Sequence, residues 1–331
     1  MSEVQKSESL MESNIYKDPT DAFNAVIEER LLQCLKGEER NQFEAYIKQV
    51  VNSDDQKDPA HQMAVKPVLQ ALLASGHKYE AGLLFNIHRT FTEFSGYGAN
   101  DKASSDVEAC FGENFEIPEK GKIFVDFFVT QNLPKIVEIC ERRGVDLSRI
   151  IVSVPMAILA AQLMKMSPKK REEFEKACAK LSANQFGIED VNHVGNMIPV
   201  GPIAVWFSPR TMPIYPRLHA ETEAKTIENY RNAFAARASQ VVSGGRIYAN
   251  LAYPKGQPFQ QLRVEEGTDR KTGELQTKLS GMSESTAVSV VKFLVDELGF
   301  EALGKGEFDP STVNPAIDHA KLATELHVRK R

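Results

Sequence analysis

Apolar positions in the first 120 residues recur at helical spacing. Phe23, Val26, Ile27, Leu31, Leu32 and Leu35 fall three or four apart behind Asp18-Pro19-Thr20-Asp21, which predicts a capped helix over Ala22–Leu35. Phe43–Val51 continues this texture and the polar Asn52–Asp58 interrupts it. Met63–Ala74 and Tyr79–Phe94 read as two further helices on either side of Ser75-Gly76-His77. Ser95–Lys120, with Gly96, Gly98, Gly112 and Pro118, reads as loop. Around Tyr97 that loop is either an aromatic flap over a ligand or an interdomain linker.

Beyond residue 120 short apolar runs alternate with amphipathic stretches. Lys122–Val129, Arg149–Val154, Ile203–Phe207 and Arg246–Tyr253 predict strands, with a further short strand at Phe186–Val191. Leu133–Arg143 predicts a helix that starts near Pro134 and stops at Gly144. Met156–Leu181 is helical with a break at Ser167-Pro168. Ala220–Val242 is a long helix with a glycine stop at Ser243-Gly244-Gly245. Gln260–Ser280 reads as a hairpin or an exposed loop, Ser283–Leu298 as a helix, and Arg329-Lys330-Arg331 as a frayed end. This order implies an α/β protein with a mostly parallel sheet, helices on both faces and an all-helical segment before it. The boundaries that follow are a polar tail at 1–15, a helical N-terminal domain at 16–119, a sheet domain at 120–310 and a C-terminal tail at 311–331.

Charge and cysteine usage narrow the classes. The 40 basic and 45 acidic residues give a net charge of −5, so there is no strong nucleic-acid signal. Cys34, Cys110, Cys140 and Cys178 form no CxxC pair or Cys/His ladder, and no HExxH is present, so no metal site is read from local spacing. Met1–Asn14 lacks the apolar core of a signal peptide. The uncharged run Ile150–Met164 contains Pro155 and is shorter than the ~18 apolar residues of a membrane span. A cytoplasmic protein is expected, or one delivered into a host by a signal-less secretion route.

The end of the sheet domain carries a resemblance. The helix Glu221–Val242 followed by Ser243-Gly244-Gly245-Arg246, then Met282-Ser283-Glu284 and Glu297-Leu298-Gly299-Phe300-Glu301, resembles the class I, Rossmann-like S-adenosylmethionine-dependent methyltransferases. Ile151-Val152-Ser153-Val154 with Ile158-Leu159-Ala160-Ala161 is similar to that family's second strand and helix. The resemblance covers roughly residues 120–308. It implies a sheet ending in a last strand at Ala302–Phe308, S-adenosylmethionine as cofactor, and a binding edge formed by Asp126, Phe127, Thr130, Gln131, Asn132, Ser153, Asp190 and Ser208. The sequence departs from the family where Phe128, Thr130 and Asn132 stand in place of glycines, and where Ser153 stands in place of a ribose-binding acid. Three outcomes stay open: a cofactor seated differently, another ligand, or a degenerate site.

Each candidate also has a plain reading. Asp126 is a pocket carboxylate or a helix cap; the Thr130-Gln131-Asn132 turn receives an anion or caps a helix. Phe127 with Phe128 is core. Glu189-Asp190 is an adenine contact or a polar loop. Arg210 could pair an anionic substrate, with Tyr215, Arg217 and His219 close behind, or the segment is a solvated surface loop. His193 and His219 are candidate general bases because imidazole titrates near neutral pH. No GxSxG, P-loop or GxGxxG occurs, which removes the common hydrolases, NTPases and dinucleotide dehydrogenases. The expectation is a divergent methyltransferase-like protein, with Arg210, Tyr215 and His219 on the substrate side and a small-molecule or protein substrate left unspecified. The alternatives are a degenerate methyltransferase fold acting as an interaction module, such as a secreted bacterial effector, and a Rossmann-like enzyme using another nucleotide.

Overall fold

The computed structural model describes residues 19–51, 63–98, 107–126 (without 109 and 114), 132–153, 156–182, 185, 200–208, 222–249, 264–268, 275–279, 284–303 and 326–331. The helical segment contains α1 (Pro19–Val26), which runs on through a π turn, Ile27–Leu31, and a 3-10 turn, Leu32–Cys34. It continues with α2 (Gly37–Val51), α3 (Lys66–Ala74) and α4 (Lys78–Gly98). Helix α4 therefore includes positions 95–98, which the glycines predicted to be loop.

Local chemistry explains the helix ends that follow. Helix α5 (Asn132–Arg142) closes with Gly144 at φ +66°, where Gly144 N–H bonds Glu141 O and Val145 N–H bonds Cys140 O. This is a Schellman motif, which needs a left-handed residue that only glycine adopts cheaply. Between α6 (Met156–Lys165) and α7 (Pro168–Cys178), Ser167 is extended and Pro168 opens the second helix, where a missing N–H costs nothing. Helix α8 (Glu223–Gln240) starts at Thr222, whose side chain accepts from Lys225 N–H at 3.2 Å. Helix α9 (Glu284–Lys292) widens into a π turn, Phe293–Glu297.

The main sheet has six strands: β1 (Lys122–Asp126), β2 (Ile150–Ser153), β3 (Ile203–Ser208), β4 (Val241–Ala249), β7 (Phe300–Ala302) and β8 (Leu326–Lys330). Their order is β2-β1-β3-β4-β8-β7. Strands β5 (Val264–Thr268) and β6 (Leu275–Leu279) form a separate antiparallel hairpin, the first of the two readings of that stretch.

The sheet is mixed, which corrects the expectation of a mostly parallel one. β2, β1, β3 and β4 are parallel, but β8 runs antiparallel to both β4 and β7. The expected frayed end is this strand: Leu326 and Val328 are fully buried, Arg329 pairs with Glu301, and Lys330 Nζ donates to Val241 O at 2.8 Å. Arg329 and Lys330 are thus strand residues with the charges led outward. The last expected strand, Ala302–Phe308, is instead described over Phe300–Ala302.

A second correction concerns the glycine stop. Helix α8 ends at Gln240, and Val241 already pairs with Ile203 in the sheet. The next described pair is Val205 with Arg246, so residues 242–245 form a bulge in β4. A Cβ on Gly245 would lie 2.9 Å from Ile203 O, so the close approach of the two strands requires glycine there.

The two faces of the sheet are covered differently. Ile123, Val125, Val152, Val205, Phe207 and Tyr248 share one hydrophobic cluster with Phe23, Leu31, Leu69 and Leu84 of the helical segment. Helix α6 packs on α1 and α4. One core thus crosses the change of texture near residue 120. The other face, with Phe124, Trp206 and Ile247, packs under α8 and α9 through Tyr230, Phe234, Val290 and Leu294.

Candidate functional site

The chain goes from β1 to β2 on one side, then crosses back to place β3 on the other side of β1. That reversal of strand order opens a crevice beyond the carboxyl ends of the strands in parallel α/β sheets. The residues at those ends are Asp126, Ser153 and Ser208. Asp126 pairs in register with Ser153, and Ser208 follows Phe207, the partner of Val125. Residues paired across parallel strands share a face, so the carboxylate is flanked by two hydroxyls. Asn132 opens α5, the helix after β1, at the same end of the sheet.

All four side chains are buried, with Asp126 and Ser208 fully enclosed. Trp206 Nε1–H donates to Asp126 Oδ2 at 3.1 Å. Arg237 of α8 reaches in from the same face, its guanidinium carbon 4.6 Å from the centre of the Phe124 ring and 6.0 Å from that of Trp206. Burial pulls the Arg237 pKa below its ordinary value, and the Asp126 charge opposes that pull. Asp126 is therefore the counter-charge of a buried cation as well as an acid at a strand end. The Asn132 amide and the Ser208 hydroxyl have no hydrogen-bond partner among the described residues. Buried polar groups are seldom left so.

Of the residues expected from the sequence, the structure brings Asp126, Ser153, Ser208 and Asn132 to one end of the sheet. Phe127, Thr130, Gln131, Asp190, Arg210, Tyr215 and His219 lie outside the described residues, as do Arg217 and His193. Trp206 and Arg237 were not expected. The signal for Arg237 was legible: it stands seven, four and three residues after Tyr230, Ala233 and Phe234, on the apolar side of its helix.

A second buried polar pair lies on the opposite face. Arg246 is 2% exposed, sits 4.8 Å over the Phe115 ring, and has Nη1 3.5 Å from His327 Nε2. Burial and the Arg246 charge pull the His327 pKa down to about 3, so the ring is neutral at ordinary pH.

No protein-family model and no curated protein sequence matches the chain. Among the described residues no helix is long and apolar enough to cross a membrane.

Proposed function

We propose that this is a methyltransferase-like protein that binds S-adenosylmethionine at the carboxyl ends of β1, β2 and β3. The convergence of Asp126, Ser153 and Ser208 where the strand order reverses carries the reading. The unspent amide of Asn132 and hydroxyl of Ser208 fit a polar ligand of this kind, and Ser153 offers the ribose a neutral hydrogen bond in place of a charged one. The cofactor supplies an activated methyl group. The chain's part is to hold donor and acceptor in line, a task of alignment that needs no strong acid or base. Asp126 acts as a positioning residue through Trp206 and Arg237 rather than as a free carboxylate.

The enclosure of Asp126 favours a second reading, a methyltransferase-type fold that has lost its cofactor and works through its surfaces. Calorimetry on the full chain separates them. Titration with S-adenosylmethionine and S-adenosylhomocysteine is expected to give a micromolar dissociation constant and one site. Silence with both ligands at millimolar concentration overturns the first reading and leaves the second.

A further inference from the structure

Away from the sheet, three metal-ligating side chains from separate turns of the helical segment converge. Cys34 ends the 3-10 turn after α1 and donates its S–H to Arg30 O at 3.2 Å. Helix α3 closes in a Schellman motif: Gly76 has φ +81°, its N–H bonds Leu73 O, and His77 N–H bonds Leu72 O at 2.8 Å. That turn fixes His77 directly ahead of α4. Glu80 lies in the first turn of α4, three residues on, and so on the same side as His77. The Cys34 sulfur, one His77 nitrogen and one Glu80 oxygen all lie within 4.8 Å of one another. His77 Nδ1 is 3.9 Å from Glu80 Oε2, with the two side chains 39% and 24% exposed.

The arrangement separates two chemistries. A nucleophilic relay needs the thiol and the acid on different imidazole nitrogens. Here the same nitrogen faces both, as it does when three donors share one ion. A thiolate, an imidazole and a carboxylate together suit zinc and its neighbours, whereas magnesium and calcium take oxygen alone. Tetrahedral zinc holds such donors about 3.3–3.8 Å apart, so the donors must close by at most about 1.5 Å, within reach of partly exposed side chains.

We propose that Cys34, His77 and Glu80 bind one zinc-type divalent transition-metal ion, with water in the fourth position. On binding, the Cys34 thiol gives its proton to solvent as the sulfur–metal bond forms, and no group changes oxidation state. The ion would clamp the end of the α1 run to the start of α4. The proposal is independent of the strand-end site.

Cobalt(II) added to the full chain tests it. The expected result is one ion per chain, a visible spectrum of tetrahedral cobalt with a thiolate-to-cobalt band in the near ultraviolet, displacement by one equivalent of zinc, and a higher melting temperature. C34S should lose the thiolate band. H77A and E80Q should weaken zinc binding by more than the roughly 10–100-fold that an outer-shell partner is worth. All three variants should keep the metal-free melting temperature, because the side chains are partly exposed. Failure of the native chain to bind cobalt or zinc, octahedral cobalt without the thiolate band, or tight binding that survives C34S and H77A would each overturn the assignment.

Discussion

Changing Asp126 to Asn keeps the size of the side chain and an oxygen for the Trp206 N–H, but removes the charge that faces Arg237. Arg237 is fully buried and lies against Phe124 and Trp206, so water cannot replace that charge without opening the core. Removing a charge that offsets the burial of a cation costs about 1–3 kcal/mol, the range for a buried polar interaction lost from one side. Asp126→Ala also strands the indole N–H and should cost about 1–3 kcal/mol more. The only tryptophan of the chain is Trp206 itself, so urea unfolding followed by its fluorescence reads the site directly. Combining Asp126→Asn with Arg237→Met should recover much of the loss, with a coupling of about 1–3 kcal/mol in the double-mutant cycle. An Asp126→Asn protein within about 0.5 kcal/mol of wild type, or a cycle without coupling, would refute the pairing.

Three further outcomes are expected. His327 has a native pKa of about 3 against an ordinary value of 6.5, so the native state binds fewer protons than the unfolded state between those values. Stability is complete above 6.5 and falls as pH drops toward 3, by up to roughly 1.4 kcal/mol per pH unit from this group, and His327→Gln should flatten that slope in urea titrations at stepped pH. Gly121 has φ +97° and a Cβ there would sit 2.8 Å from Ala204 N, so Gly121→Ala should lower stability by about 1–3 kcal/mol, read from the urea midpoint. Ending the chain at residue 325 removes β8 from between β4 and β7 and should abolish cooperative unfolding; a frayed tail would leave the melt unchanged.

These cases also mark what the amino-acid pattern reveals. The breaks at Ser167-Pro168, Gly144 and Ser75-Gly76-His77 were legible because proline and glycine act on their own turn. Strands β1, β2 and β3 were legible because parallel strands buried on both faces are continuously apolar. β8 was not, since only Leu326 and Val328 alternate before three basic residues, and its partners lie at 241–249 and 300–302. The start of β4 was hidden because Ser243-Gly244-Gly245 has the same composition whether it stops a helix or forms a bulge. At the site, Asp126 stood out as an acid on an apolar strand, whereas its coupling to Trp206 and Arg237 depends on the packing of α8 against the sheet. The Cys34, His77 and Glu80 cluster likewise depends on tertiary structure, which brings position 34 beside 77 and 80.

The claim that the carboxyl ends of β1, β2 and β3 hold a ligand is tested most directly by hydrogen exchange. The full chain is compared with and without millimolar S-adenosylhomocysteine, and exchange is read by peptide mass spectrometry. Slower exchange is expected in peptides covering 122–132, 150–153 and 203–208. Unchanged exchange throughout, or slowing confined to the helical segment, would contradict it.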